Sequence, residues 1–238
     1  MTNKSNKYFY PAMVASISLI IMAGLAFYSY GYVHGSLVIP GNAMETLNNL
    51  VAHKGLFLSG IVGWGLIVVT DLLVTWALYS FLKDINRKGA LLGGIFRLVY
   101  TVILAVAVAN LFGAYQLIGD IAKATTSVAN DVMASVLAFE NIWSFGLIVF
   151  GVHLVMIGYV AYQSKFIPKI LSVLLIFAGI SYVLVHILHG VAPQLDSFTD
   201  TLEMILSFPM MVGELGFGVW LLIKGRKLQQ LNESTILR

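Results

Sequence analysis

The chain of 238 residues is 59% hydrophobic and only 11% charged, whereas a soluble domain carries about 25% charged residues. The mean hydropathy of +0.89 excludes a soluble domain of this size, because so many apolar side chains do not fit inside one core. The formal net charge of +3 does not indicate nucleic-acid binding, because the cations lie in short stretches between apolar segments and form no basic face. The chain has no cysteine, which excludes disulfides and thiolate metal ligands.

Six segments are long and apolar enough to be transmembrane helices, each of which needs about 20 mostly apolar residues. In chain order they are 11–33, 56–82, 89–113, 142–163, 170–188 and 203–223. The first segment follows Lys4 and Lys7 and has no small-residue cleavage site, so we expect an uncleaved helix rather than a signal peptide. The sequence therefore predicts an all-α polytopic membrane bundle of six transmembrane helices, forming a single membrane domain over 1–238 with the lipid bilayer around it.

The connections between these segments alternate in length. The stretches 83–88 and 164–169 are tight turns, whereas 34–55, 114–141 and 189–202 are longer. Two of the longer connections carry the pattern of a helix N-cap, a residue with a short polar side chain three positions before a carboxylate. This pattern occurs at Asn42 with Glu45 and at Asp200 with Glu203, and it predicts short interfacial helices in those two connections.

The distribution of lysine and arginine predicts the orientation, because cytoplasmic loops carry an excess of these residues. Eleven of them fall on the side of the two tight turns and both termini, and only Lys54 and Lys123 fall on the other side. We therefore expect both termini in the cytoplasm and the protein in the cell's inner membrane. Most of the acidic residues lie on the opposite, outer side: Glu45, Asp120, Asp131, Glu140, Asp196, Asp200 and Glu203.

Four ionisable side chains fall inside the predicted spans, on four different helices: Asp71, Arg97, His153 and Glu214. Counting to the nearest inner cation at about 1.5 Å per residue places them about 13–18 Å deep, near the middle of the bilayer. Each charge is costly there, so we expect the four to face inward and pair, with Arg97 forming an ion pair with Asp71, with Glu214 or with both. One carboxylate is then in excess, and protonation of His153 is one way to compensate it.

Two interpretations of this midplane cluster remain open. The four side chains either bind a small molecule, lipid or proton, or they only hold the helices in register. Near them, Thr75 and Thr101 lie one turn from Asp71 and Arg97 on the same helix faces. Pro209 is expected to kink the sixth helix.

A second group of candidates lies toward the outer face. His34 ends the first predicted span and His53 begins the second, while His186 and His189 share one face of the fifth. These are weak candidates for a transition-metal site, because histidine is a common ligand but the spacing matches no defined motif. The sequence contains no phosphate loop, serine-centred elbow, zinc-protease helix or dinucleotide fingerprint, and it specifies no cofactor.

Three runs resemble a bacterial membrane family known as domain of unknown function four-three-eight-six. They are DLLVTWALYSFLKDINRKGALLGGIFRLVY (71–100), FGLIVFGVHLVMIGYVAYQSKFIPKILSVLLIFAGISYVL (145–184) and GELGFGVWLLIKG (213–225). The resemblance covers about 65–225 and includes the four midplane residues and the turn from Ser164 to Pro168. It implies a bacterial inner-membrane protein, and it supplies no activity and no mechanism.

The sequence thus predicts a membrane protein that binds or transports a small molecule, lipid or proton at Asp71, Arg97, His153 and Glu214. An intramembrane enzyme acting on a lipid-like substrate is the first alternative, with Asp71 or Glu214 as general base and Arg97 holding an anionic group. An accessory or assembly protein with a structural charge network is the second.

Overall fold

The computed structural model describes residues 8–119 and 125–236 and is helical throughout these ranges, with no strand in them. Seven helices follow one another in the chain. They are α1 (Phe9–Leu37), α2 (Ala43–Ala52), α3 (Lys54–Leu82), α4 (Arg87–Leu117), α5 (Thr126–Gln163), α6 (Lys169–Val191) and α7 (Asp196–Ile236). All except α2 contain a stretch long and apolar enough to cross a membrane. The predicted six-helix membrane fold is therefore confirmed.

The exposed faces of the long helices carry many large apolar side chains, whereas the ionisable side chains of Asp71, Arg97 and His153 are buried. On α4, for example, Val102 and Val106 are 58% and 53% exposed, whereas Arg97 is 1% exposed. A soluble protein would have the opposite arrangement, with the valines buried away from water and the charged side chain exposed to it. The surface of α4 is thus suited to lipid, and its interior to a polar contact.

The predicted cap at Asn42 is confirmed. The Asn42 side chain accepts a hydrogen bond from the Glu45 backbone N–H at 3.1 Å and donates one to the Glu45 carboxylate at 2.8 Å. Gly41 precedes it with a φ of +74°, a conformation that glycine adopts without strain. This turn starts α2 directly after the first span.

The predicted cap at Asp200 is wrong. A single 3₁₀ turn, Pro193–Leu195, separates α6 from α7, and α7 already begins at Asp196. Asp200 therefore lies inside the helix, more than one turn past its start. The carboxylate spacing that suggested a cap also occurs within helices, because residues three apart are neighbours on a helix face.

The prediction of a long outer loop over 114–141 is also wrong for most of its length. α4 continues to Leu117, and α5 begins at Thr126, well before the apolar segment that was predicted to start at 142. The part of α5 that precedes residue 142 is amphipathic, since Ala129, Val132 and Val136 are buried at helical spacing. Hydropathy alone missed it because the exposed face of this part of α5 is polar.

The chain divides into two compact units. The first comprises the described residues of Met1–Ile21, Thr70–Tyr100 and Leu147–Arg238, and the second comprises Met22–Val69 and the described residues of Thr101–Gly146. In the second unit, the last part of α1 is π-helical over Phe27–His34, and Tyr30 packs on Trp143 with ring centroids 4.8 Å apart. All four midplane residues belong to the first unit.

Candidate functional site

Four helices of the first unit each contribute one ionisable side chain to a single cluster. Asp71 lies on α3, Arg97 on α4, His153 on α5 and Glu214 on α7. Asp71, Arg97 and His153 are 0%, 1% and 1% exposed. The structure thus brings together all four residues that the sequence singled out.

Arg97 and Asp71 form the centre of the cluster. Arg97 Nε donates a hydrogen bond to Asp71 Oδ1 at 2.7 Å, and Arg97 Nη2 lies 2.5 Å from the same oxygen. Hydrogen bonds between ionised groups are short and strong, and more so where water is excluded. The pair therefore ties α3 to α4 inside the apolar part of the protein.

His153 also contacts the guanidinium, and its partners define its protonation state. Its Nδ1 lies 2.8 Å from the carbonyl oxygen of Gly93, which can only accept, so Nδ1 carries the hydrogen. Its Nε2 lies 3.0 Å from Arg97 Nη1, which can only donate, so Nε2 accepts and carries none. This geometry requires a neutral imidazole. Protonation of His153 to balance the second carboxylate would break its hydrogen bond with Arg97.

An aromatic side chain that the sequence analysis missed covers the guanidinium. The ring of Phe150 lies 5.3 Å from Arg97 Cζ, within the range of a cation–π contact. Phe150 in turn contacts Tyr100 and Tyr182, with ring centroids 4.9 and 5.4 Å apart. Phe150 precedes His153 by three residues, so helical spacing was the signal that placed both on one face of α5.

Glu214 differs from the other three residues in exposure and in contact. Its Oε1 lies 3.7 Å from Arg97 Nη2, too far for a hydrogen bond, and its side chain is 23% exposed. The neighbouring Gly213 allows close approach of α7 to α6, because a Cβ there would lie 2.9 Å from the carbonyl oxygen of Leu174. Glu214 is therefore the loosely held and accessible member of the cluster.

The midplane cluster thus consists of a fixed part and an accessible part. The fixed part, Asp71, Arg97 and His153, is hydrogen-bonded and sealed. Thr75 does not join it through a side-chain contact to Asp71, since Thr75 Oγ1 donates to the Asp71 backbone carbonyl at 2.9 Å.

The outer histidines of the second unit have separate surroundings. His34 Nε2 lies 2.7 Å from Glu140 Oε1, and the imidazole stacks on Tyr30 with ring centroids 5.0 Å apart. His53 is exposed at the end of α2, where its backbone N–H bonds to the Asn49 carbonyl. His34 thus contacts a carboxylate through Nε2 and an aromatic ring through its face.

The outer histidines of the first unit lie where α6 meets α7. His189 Nε2 is 3.0 Å from Glu203 Oε2 and 3.9 Å from Asp200 Oδ1, and the rings of His186 and His189 are 6.3 Å apart. Over residues 8–119 and 125–236, no three His, Asp or Glu side chains lie close enough together to hold a metal ion. Asp120 lies outside the described residues.

Comparison with known proteins identifies relatives of the chain. A model of the family described as "Domain of unknown function (DUF4386)" matches residues 14–225. An uncharacterized protein of Archaeoglobus fulgidus is 30% identical over 173 residues, which are 72% of this chain and 86% of that protein. No solved structure matches the chain. The family match confirms the resemblance seen in the sequence and extends it to the first span, and the relative shows that similar chains also occur in an archaeon.

Proposed function

The chain belongs to this family of unknown function, and we propose that it is a multi-pass membrane protein in which Glu214 takes up and releases a proton. In this proposal Asp71, Arg97 and His153 form a fixed counter-charge that stays in place while Glu214 changes its charge. The single observation that supports it best is the contrast between the sealed fixed part and the accessible Glu214, which is 23% exposed and 3.7 Å from Arg97.

The charge balance of the cluster supports the same proposal. One guanidinium faces two carboxylates, and the hydrogen bonds of His153 are those of a neutral imidazole. A second ionised carboxylate leaves one negative charge uncompensated among apolar helices, which costs several kcal/mol in a membrane interior. A proton on Glu214 removes that charge without disturbing the pair of Arg97 with Asp71.

The geometry gives less support to an intramembrane enzyme. A general base must reach the proton that it abstracts, and Asp71 is 0% exposed with Arg97 already bonded to it. Arg97 is 1% exposed, so its guanidinium is not open to an anionic substrate. Glu214 alone retains the access that such a mechanism needs.

An accessory or assembly protein is the second candidate function, and the sealed fixed part favours it. A buried ion pair with a matched imidazole can serve only to hold α3, α4 and α5 in register. This candidate makes no use of the accessibility of Glu214, so the two proposals differ in what they expect of that residue.

We expect a lipophilic carbodiimide to label Glu214 in membranes. A protonated carboxyl group adds across one C=N bond of the reagent, and the resulting O-acylisourea rearranges to a stable N-acylurea, so no other reactant is needed. Mass spectrometry should find the mass of one carbodiimide on the peptide that contains Glu214 and none on the peptide that contains Asp71. Labelling should decline as the pH rises and the carboxyl group ionises.

The matched variants are Glu214→Gln, which should abolish the label, and Glu203→Gln, which should leave the label on Glu214 unchanged. Proton uptake into proteoliposomes driven by a potassium diffusion potential should be lost in Glu214→Gln and retained in Glu203→Gln. An unlabelled Glu214, or proton uptake that survives Glu214→Gln, would contradict the proposal and favour the accessory role.

We also propose that both termini face the cytoplasm, because the lysines and arginines of the tight turns and termini lie on one side. In a bacterial host, alkaline phosphatase fused after Gly41 should be active, since it then lies outside, where its disulfides form. The same enzyme fused after Gly225 should be inactive, and a green fluorescent protein at that position should fluoresce. The reverse pattern would overturn the orientation.

A further inference from the structure

The interface between α6 and α7 carries a line of ionisable side chains that leads from one end of these helices to Glu214. On α6 they are Tyr182, His186 and His189, spaced four and three residues apart and so on one face of the helix. On α7 they are Glu203 and Glu214, which are eleven residues and thus about three turns apart on one face. We call these five residues the α6–α7 polar column.

Two contacts fix how the halves of the column align. At one end, His189 Nε2 lies 3.0 Å from Glu203 Oε2. At the other end, a Cβ on Gly213 would lie 3.1 Å from the Cβ of Ala178, so Glu214 is nearly level with Ala178. Tyr182 is one turn from Ala178 toward His189. The column therefore runs about 16 Å along the interface, from Glu203 to Glu214.

The steps along α6 are short and similar in length. The rings of His189 and His186 are 6.3 Å apart, and those of His186 and Tyr182 are stacked with centroids 6.1 Å apart. Neighbouring rings therefore lie side by side along this face of α6, from His189 to Tyr182. Imidazole and phenol groups both donate and accept hydrogen bonds, as members of a proton relay must.

We infer that the α6–α7 polar column holds a chain of water molecules through which protons reach Glu214 from the end of the bundle that carries Glu203. The inference rests on the proposed function of Glu214 and adds the route and the side of access. Charged groups of the described residues lie beside both ends of the column. Arg97 lies 3.7 Å from Glu214, with Asp71 interacting with the same carboxyl group, and Asp200 lies 3.9 Å from His189.

Cysteine substitution tests the route directly, because the chain has no cysteine of its own. A water-soluble, membrane-impermeant methanethiosulfonate reacts with thiolates, which form where water reaches the sulfur. We expect it to modify His186→Cys and Tyr182→Cys in proteoliposomes. The matched control is Leu184→Cys, on the opposite, 47% exposed face of α6. Tyr182→Cys should react roughly tenfold or more faster than Leu184→Cys, because thiolates do not form in lipid.

Depth in the membrane alone would predict that Leu184→Cys reacts faster than Tyr182→Cys. Leu184 lies seven residues from the end of α6 at Val191 and Tyr182 lies nine, so reagent that merely penetrates the membrane surface would reach Leu184 first. Equal reaction at the two positions, or none at Tyr182→Cys, would overturn the water-filled route.

Failure of the route and failure of the proposed function have different signatures. If Tyr182→Cys does not react but carbodiimide still labels Glu214, the proton site stands and the route is wrong. If Tyr182→Cys reacts and Glu214 stays unlabelled, the column is hydrated but delivers no proton, and both proposals fall. If both reactions occur, blocking Tyr182→Cys with the reagent should slow proton uptake roughly tenfold or more, since a single-file relay has no bypass.

Discussion

Arg97→Ala is expected to lower the free energy of unfolding by about 3–5 kcal/mol, because it removes the cation that balances the buried Asp71 carboxylate. Asp71 is 0% exposed, and both of its contacts with Arg97 are made through Oδ1. The substitution also removes the donor to His153 Nε2 and the cation over the Phe150 ring. Thermal unfolding of the detergent-solubilised proteins measures the effect. The Tm of Arg97→Ala should be much lower than that of the unsubstituted protein.

A paired substitution separates the charge from the packing. Arg97→Met combined with Asp71→Leu removes both charges and retains most of the side-chain volume, so it should be far more stable than Arg97→Ala alone. Lys88→Ala is the matched control on α4, since Lys88 is exposed at the start of the helix and should change stability by no more than about 0.5 kcal/mol. If Arg97→Ala were as stable as Lys88→Ala, the buried pair would not support the fold.

Gly179→Ala is expected to destabilise the protein by about 1–3 kcal/mol or more, because the new methyl group would press on backbone atoms that cannot rotate away. A Cβ at Gly179 would lie 2.8 Å from the backbone nitrogen of Val155, and closer still to the carbonyl oxygen of Gly151. The two helices must therefore separate. Phe150 and Tyr182 contact each other within one turn of Gly151 and Gly179, so separating the two helices would also weaken this ring contact.

The matched control for this prediction is Gly190→Ala on the same helix. A Cβ there has no neighbour within 4 Å, so alanine should be neutral or stabilising by up to about 1 kcal/mol through its better helix propensity. The difference in Tm between the two alanine variants measures the cost of the close approach alone. Equal Tm values would mean that α5 and α6 tolerate a wider spacing.

The position of each helix followed from the sequence wherever hydropathy or capping specified it. Local composition determines the six apolar segments and the start of α2 after Asn42. It also determines that the four ionisable residues lie on four different helices. The start of α5 at Thr126 did not follow, because its first turns are amphipathic and are stabilised by burial of one face rather than by lipid. The predicted cap at Asp200 was wrong because the spacing of Asp200 and Glu203 fits a helix interior as well as a cap.

The sequence by itself determined that the ionisable side chains within the spans would face inward and pair, because lone charges in a membrane interior are too costly. These residues are Asp71, Arg97, His153 and Glu214. Only the tertiary structure decided which of them pair. The carbonyl of Gly93 and the guanidinium of Arg97 make His153 neutral, and the distance of 3.7 Å leaves Glu214 apart from the others. Hydrogen-bond partners depend on helix rotation and spacing to within an ångström, and residues far apart in the chain, such as Gly151 and Gly179, set that spacing through contacts that no local pattern records.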